Sequence, residues 1–163
     1  MLSAVIDAEE GREVAIADVP NAFVQTKLQD EDDKVVMRLQ GPLAHLLCEL
    51  APEVYKPFMM KDKHGRDLLY VRILNALYGI MKAALLYYRC FLGDIKSEGF
   101  ELNPYDPCIA NKIVAGHQLT LLWHVDDIKM SHLDKPVIDE FIQWLRNTYE
   151  CIFPDGSGAM RIS

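Results

Sequence analysis

The sequence predicts an α+β fold in which a mostly antiparallel sheet carries helices packed on one face. Two observations predict it. Apolar residues alternate in some segments and recur at helical spacing in others, and these segments follow the order β-α-β-α-α-β-α-β-β-β-α. With 163 residues, 50% of them apolar, the chain is expected to bury roughly 70% of its unfolded surface. We therefore expect one domain over residues 1–163.

The first half of the chain alternates strands with short helical segments. Val14 and Ile16 alternate with smaller residues in a short strand, and on that period Asp18 points to the same side at the strand's end. Pro20 and Gly41-Pro42 interrupt pairing, and His64-Gly65-Arg66 is typical of a turn. The predicted elements are strands at 13–18, 35–39 and 68–74, helical turns at 22–29, a solvated acidic loop at 30–33, and helices at 43–50 and 53–60.

The second half begins with the clearest helix, residues 83–97, and Gly99 suits the position after its end. Residues 108–114 and 119–125 are expected to form a hairpin of two buried strands, and the strand resumes at 128–131. A last helix over 136–149 follows Asp134, a plausible cap. The helix over 83–97 is expected to turn an apolar stripe inward, formed by Leu85, Tyr88, Phe91, Leu92 and Ile95. The inward residues of the helix over 136–149 are expected to be Val137, Ile138, Phe141, Ile142, Leu145 and Tyr149.

The acidic net charge of the chain differs from the basic charge that is typical of nucleic-acid-binding proteins. The formal net charge is −7, and residues 1–33 account for all of it, with nine acidic residues against Arg12 and Lys27. The remaining residues are balanced, and 61–66, the one basic cluster, is expected to be a solvated hairpin. Any nucleic-acid role would therefore need cations from metal ions or from chain outside this sequence.

Cysteine spacing and hydropathy bear on the compartment. The four cysteines are widely spaced, which indicates neither a zinc site nor a disulfide framework and fits a reducing, cytoplasmic compartment. No apolar run reaches the ~20 residues that a bilayer helix needs, and residues 1–6 do not have the pattern of a signal peptide. We expect a protein that is neither membrane-bound nor secreted.

Two neighbouring aspartates interrupt the most apolar stretch of the chain. Asp126 and Asp127 come directly after 119–125, and like charges at such a corner are costly without a cation. Aspartate is also a common turn residue, so the pair taken alone does not decide between a turn and a site. Asp18 ends another apolar strand that can lie beside this hairpin. Three carboxylates at one corner could hold two magnesium or manganese ions roughly 3.5–4 Å apart, the arrangement that serves phosphoryl transfer.

These residues bear a resemblance spread over most of the chain. Asp18-Val19-Pro20-Asn21-Ala22-Phe23 resembles the pattern Asp-Val-x-x-Ala-Phe, and Leu77-Tyr78-Gly79 with Ala83 and Tyr88 resembles a second motif. Gly99-Phe100 and Asp106-Pro107-Cys108 recur in the expected places, and His124-Val125-Asp126-Asp127 resembles a Tyr-Val-Asp-Asp hairpin. In this order and spacing the chain resembles the palm region of the reverse transcriptase of copia-type LTR retrotransposons.

The resemblance implies an RNA-directed DNA polymerase that adds dNTPs to a primer 3′-hydroxyl on an RNA or DNA template. It implies that Asp18 and Asp126 bind both metal ions, that Asp127 supports the hairpin or touches metal more loosely, and that Val19 belongs to the metal and nucleotide sites. Phe23 would be the steric gate against the ribose 2′-hydroxyl, and Tyr78 and Gly79 would line the nucleotide and template pocket. The residues themselves leave open a core aromatic at 23 and a plain helix entry at 78–79.

The chain departs from the family pattern in the second motif, at the hairpin and in the length of the segment before Asp18. The second motif continues as Met81-Lys82-Ala83-Ala84-Leu85, where only Ala83 holds, and His124 stands where the family has tyrosine. Only 17 residues precede Asp18, so the resemblance implies incomplete fingers, and because the thumb would follow the last palm helix, beyond Ser163, it implies no thumb and no RNase H in this sequence. We expect a palm fragment that does not polymerise alone, needs those segments of the polyprotein as partners, and is associated with cytoplasmic particles.

Three alternatives remain from the residues. His124, Asp126 and His132 imitate the ligand set of non-haem iron oxygenases, although His132 is only six residues past Asp126. A nucleotidyl cyclase would share the carboxylate geometry but should show a Gly-rich acidic hairpin. The rival from another class is a non-catalytic protein, either a transposon remnant or a palm fold used as a binding module.

Overall fold

The computed structural model describes residues 2–28, 35–150 and 158–163. The chain divides into two compact units, the first formed by Met1–Thr26 with Leu77–Ser163 and the second by Lys27–Ala76. Every strand pair among the described residues is antiparallel, so the predicted α+β class is confirmed. No helix in the described ranges combines the length and apolar character needed to cross a bilayer. The predicted acidic loop at 30–33 lies outside the described residues.

The elements of the first unit are α1 (Leu2–Glu10), β1 (Glu13–Asp18), α4 (Ala83–Ser97), β5 (Glu101–Leu102), β6 (Ile109–Val114), β7 (His117–His124), β8 (Asp127–His132), α5 (Lys135–Tyr149) and β9 (Arg161–Ile162). Its six strands form one sheet in the order β5-β6-β7-β8-β1-β9. Tight turns join β6 to β7 and β7 to β8, while β1, from much earlier in the chain, pairs with β8 along its whole length.

Helices α4 and α5 cover one face of this sheet, as predicted, but α1 lies on the other. The side chain of Lys129, which alternates with the buried Ile128 and Met130, bonds to Asp7 and Ser3 of α1. The prediction that all helices share one face is therefore wrong, because the acidic N-terminal segment forms a helix that the sequence analysis did not predict. On β1 the small Ala15 and Ala17 enter the core, while the Val14 and Ile16 face is partly exposed.

The boundaries of α4 and most of its inward residues were predicted correctly. Ala83, Tyr87, Phe91 and Ile95 are buried at intervals of four residues, whereas Leu85 is 48% exposed. The helix ends as Gly99 predicts: with Gly99 at φ 84°, its N–H donates to Lys96 O and that of Phe100 to Ile95 O. Phe91 and Ile95 are buried and Tyr88 and Leu92 pack against the core as predicted, so the stripe is wrong only in its first turns, where Tyr87 rather than Leu85 faces inward.

Two smaller expectations are wrong and a third is met only in part. Residues 20–25 form consecutive turns rather than a regular helix, with Asn21 in the left-handed region at φ 52°, and Lys27 makes an isolated bridge with Asn75. Strand β6 is only partly buried, since Ile113 is 68% exposed at the hairpin's outer side. The carboxylate of Asp134 makes no capping hydrogen bond to α5, although its carbonyl accepts the N–H of Val137. The inward residues of α5 agree with the prediction, since Ile138, Phe141, Leu145 and Tyr149 are buried.

The second unit has a three-stranded sheet in the order β2-β4-β3 with short helices. Pro42 begins the first helix and Pro52 the next, where proline's missing N–H costs nothing. The predicted helix at 53–60 is shorter, because Pro57 lies in a 3₁₀ turn and the chain then becomes a strand. The elements are β2 (Val36–Gln40), α2 (Pro42–Leu50), α3 (Pro52–Tyr55), the 3₁₀ turn Lys56–Phe58, β3 (Met60–Lys61) and β4 (Asp67–Arg72).

Candidate functional site

Asp18, Asp126 and Asp127 meet at one corner of the six-stranded sheet, which we call the carboxylate corner. Asp18 ends β1 directly opposite Asp127, the first residue of β8. Paired residues in an antiparallel ladder project from the same face, so these two side chains are neighbours. Asp126 lies in the turn before β8, and its carbonyl accepts the N–H of Val19 at 2.9 Å. Residues more than a hundred positions apart are thereby brought together.

The turn that carries Asp126 has an unusual backbone. Val125 and Asp126 form a two-residue connection between the paired His124 and Asp127. Such tight hairpins require a positive φ, and Val125 adopts φ 57°. A β-branched residue in this region is strained by roughly 1–2 kcal/mol. The corner therefore combines like charges with local strain, the combination that clusters at functional sites.

The carboxylates of the corner lack compensating partners. Asp18 and Asp126 are partly buried and Asp127 is exposed, so they are less buried than the apolar sequence around them suggested. None of the three side chains accepts a hydrogen bond or forms an ion pair with a described residue. Their negative charge contributes to the raised pKa of two tyrosine hydroxyl groups. Burial, followed by Asp126 and Asp18, raises the pKa of Tyr78, and burial followed by Asp126 raises that of Tyr87.

An aromatic cluster adjoins the corner. The ring of Phe23 lies 4.7 Å from that of Tyr78 and 6.1 Å from that of Tyr87. Tyr78 is 62% exposed, whereas the hydroxyl of Tyr87 is buried with no hydrogen-bond partner among the described residues. Phe23 packs partly against the core, so both of its interpretations, core aromatic and site residue, are compatible with its place.

Val19 and Gly79 occupy different settings. The side chain of Val19 is fully buried, so only its backbone can face a ligand at the corner. Gly79 has φ 95°, and nothing lies within 4 Å of where a Cβ would stand. Its place in the turn after Tyr78 therefore reflects backbone conformation rather than close packing.

The histidines do not form the ligand set of an iron oxygenase. His124 is exposed beside Asp127, but His132 is fully buried at the far end of β8, roughly 17 Å along the strand. The Nδ1 of His132 accepts the N–H of Asp134 at 2.9 Å, which leaves Nε2 to donate to Val114 O at 3.2 Å. Both ring nitrogens are thus used inside the fold.

Arg161 is a neighbour of the site that the sequence analysis missed. It lies on β9 directly opposite Asp18, so Asp127, Asp18 and Arg161 form one row across three strands. Backbone bonds between Ser163 and Ile16, at 2.8 and 2.9 Å, hold β9 in place. Two residues of strand are too short to show alternation, so the sequence carried no usable signal for this pairing.

The donor chemistry of the corner suits a hard divalent cation. Carboxylate oxygens are the ligands that magnesium and manganese prefer. Among the described residues, however, no three or more His, Cys, Asp or Glu side chains are already arranged as a metal-binding group. The corner therefore supplies carboxylate ligands whose charge is not compensated by a described residue, but it does not form a complete metal-binding group.

No protein-family model, no curated protein and no solved structure matches this chain.

Proposed function

We propose that this chain is the palm region of an RNA-directed DNA polymerase of the copia retrotransposon type, in which the carboxylate corner binds two divalent cations. The partners of this proposal are an RNA or DNA template-primer, dNTPs and further segments of the polyprotein. The observation that carries it is the register that sets Asp18 opposite Asp127 with Asp126 in the adjoining turn. The motifs that resemble the family contribute these same residues.

The roles follow from what each residue offers. Asp18 and Asp126 would hold both cations, Asp127 would support the hairpin or touch one cation, and the backbone of Val19 would complete the site. When bound, magnesium or manganese would lower the charge cost of a primer 3′-hydroxyl attacking the α-phosphate of a dNTP. Phe23 would exclude the ribose 2′-hydroxyl, with Tyr78 and Gly79 beside it at the nucleotide.

Paramagnetic manganese tests this proposal without requiring activity. In a two-dimensional NMR spectrum, Mn²⁺ should broaden the amide signals of 17–19 and 125–128 before those elsewhere. Asp18→Asn and Asp126→Asn should each weaken binding roughly tenfold or more, because each removes a charged ligand worth ~1.5–3 kcal/mol. Asp139→Asn, at an exposed carboxylate that pairs with Lys135, is the matched control and should leave the titration unchanged.

Broadening that is absent at the corner, or that survives both substitutions, would contradict the proposal. That result would favour the non-catalytic alternative, in which the fold serves as a binding module or is a transposon remnant. Dilute Mg²⁺ competing with Mn²⁺ for the same signals would support the polymerase interpretation further.

A further inference from the structure

Helix α2 of the second unit is apolar on two faces. Ala44 and Cys48 are buried, whereas Leu43, Leu46 and Leu50 are exposed. At about 100° per residue, the three leucines fall within roughly 60° of one another, on the side of the helix away from the buried pair. A surface helix ordinarily carries polar residues on its outer face, and a helix that is apolar all round is ordinarily buried. The outer face of α2 therefore has the character of a surface that is covered.

Two more exposed apolar side chains follow α2 in the chain. They are Val54 of α3, which contacts α2, and Phe58 of the 3₁₀ turn, which contacts α3. With the three leucines they are between 48% and 72% exposed. We call these five side chains, Leu43, Leu46, Leu50, Val54 and Phe58, the apolar patch. Apolar residues scattered singly over a surface are ordinary, but concentrated ones mark interaction sites.

The exposed area of the apolar patch is sufficient for a pair of chains. At these exposed fractions each side chain offers on the order of 100 Å², so the five offer roughly 500 Å². Two copies that meet through the same surface would bury roughly 1,000 Å² in total, which reaches the lower limit of a specific interface. A pair of this size should be weak, with a dissociation constant on the order of 10 µM.

The spacing of the leucines fits a second copy of the same helix. In a two-fold pair each chain presents the same residues to the other, so the surface must be complementary to itself. When two α2 helices lie antiparallel with the axis between Leu46 and Leu47, Leu43 of one copy lies beside Leu50 of the other. Leu46 then lies beside the half-buried Leu47 of the second copy. Leucine therefore meets leucine along the whole helix.

Charge does not oppose this pairing. Glu49 is the one formally charged residue of α2. The acidic excess behind the net charge of −7 lies in residues 1–33, whereas residues 35–76 hold four acidic side chains against six lysines and arginines. Two copies can therefore meet through this surface without strong repulsion between like charges.

We propose that the apolar patch joins two copies of this chain, with their α2 helices antiparallel about a two-fold axis. This inference goes beyond the proposed function, because it concerns an interface of the second unit and needs neither the carboxylate corner nor a metal ion.

Sedimentation equilibrium of the whole chain in EDTA tests the proposal. Between roughly 1 and 300 µM, the weight-average mass should rise from the 18.6 kDa of one chain toward twice that value. Leu46→Glu puts two carboxylates at the centre of the pair and should raise the dissociation constant at least roughly tenfold. Leu85→Glu, at a leucine of α4 that is 48% exposed like Leu46, is the matched control and should associate like the parent chain.

A mixture of two variants tests whether the occupant is a second, antiparallel copy. Leu43→Glu and Leu50→Lys should each remain monomeric where the parent chain pairs, because each sets a charge against a leucine. Mixed in equal amounts they should pair again, since the new carboxylate of one chain then lies beside the new ammonium group of the other. Leu43→Glu mixed with Leu43→Lys, whose charges would lie at opposite ends of the interface, should not recover. Recovered pairing also shows that the single variants are folded.

A mass of 18.6 kDa throughout that range would overturn the proposal and leave the apolar patch to a different protein. Pairing of Leu46→Glu with the affinity of the parent chain would overturn it as well. So would recovery in the mixture of Leu43→Glu with Leu43→Lys, or a mass that grows beyond two chains, which a contact without two-fold closure would produce. Because EDTA removes divalent cations, failure here is distinguishable from failure of the manganese titration, which concerns the carboxylate corner alone.

Discussion

One carboxylate site in each unit shows a different compensation of charge. In the first unit, three aspartates share a corner of the sheet without accepting a hydrogen bond from any described residue, and the core of that unit is rich in aromatic side chains. In the second, Asp62 is satisfied by two backbone N–H groups and a guanidinium. That unit buries only a few apolar side chains among its described residues, Ala44, Cys48, Leu68, Leu69 and Ala76.

The difference shows what each unit can tolerate. A large core leaves stability to spare, so unpaired carboxylates and a strained Val125 can persist where a ligand would use them. A small core offers little margin, and the turn over residues 62–66 depends on the hydrogen-bonded carboxylate of Asp62 to hold its shape. Uncompensated charge at the corner is therefore compatible with the proposed cation site, whereas the hydrogen-bonded carboxylate of Asp62 fixes a turn.

The largest effect is expected from the core that supports the corner. Phe91 is fully buried, with its ring 5.3 Å from that of Trp123 and 6.0 Å from that of Tyr149. Phe91→Ala should lower the free energy of unfolding by roughly 3–5 kcal/mol in urea titrations, through lost burial and a residual cavity. Leu85→Ala, on the exposed side of the same helix, should cost ~0.5 kcal/mol or less. Equal losses would mean that the first unit has no dominant core.

A smaller effect, of opposite sign, is expected at the corner itself. Asparagine tolerates the left-handed conformation that strains Val125, so Val125→Asn should raise the free energy of unfolding by about 1 kcal/mol. Val125→Thr keeps the branched Cβ and should leave stability near that of the parent chain. Thermal unfolding of the three proteins in EDTA measures the difference. A destabilised asparagine variant would show that the turn is not under strain.

The smallest effect is expected on the pH dependence of stability, and it concerns Asp62. The pKa of Asp62 is lowered in the fold from the ordinary 3.8, because its carboxylate accepts hydrogen bonds from the backbone and from Arg66. The contribution of Asp62 to the free energy of unfolding is therefore complete at neutral pH and disappears as the pH falls through that lowered pKa. Asp62→Asn should therefore be less stable than the parent at neutral pH, and the gap should close in acid. Urea unfolding at a series of pH values measures it, with Asp139→Asn as control. A gap that widens in acid would contradict the hydrogen-bonding account.

Local patterning accounts for what the sequence predicted correctly. The ends of β1, α4 and α5 follow from alternation, from Gly99 and from helical spacing, all of which act over a few residues. The missed elements are the helix α1, which contacts Lys129 of β8, and the two-residue strands β3, β5 and β9, which are too short to show alternation and are defined by their pairing. The error on the apolar face of α4 has the same cause, since only packing against the sheet decides between Leu85 and Tyr87.

The sequence by itself determined which chemistry was possible, because Asp18, Asp126, Asp127 and the cations of 61–66 are fixed by residue type and their strand or turn setting by local propensity. Only the tertiary structure decided their neighbours. The pairing of β1 with β8 set Asp18 against Asp127, that with β9 added Arg161, and the pairing of β2 with β4 put Arg38 beside Tyr70. Strand register depends on burial along whole faces of a sheet, which no short stretch of sequence contains.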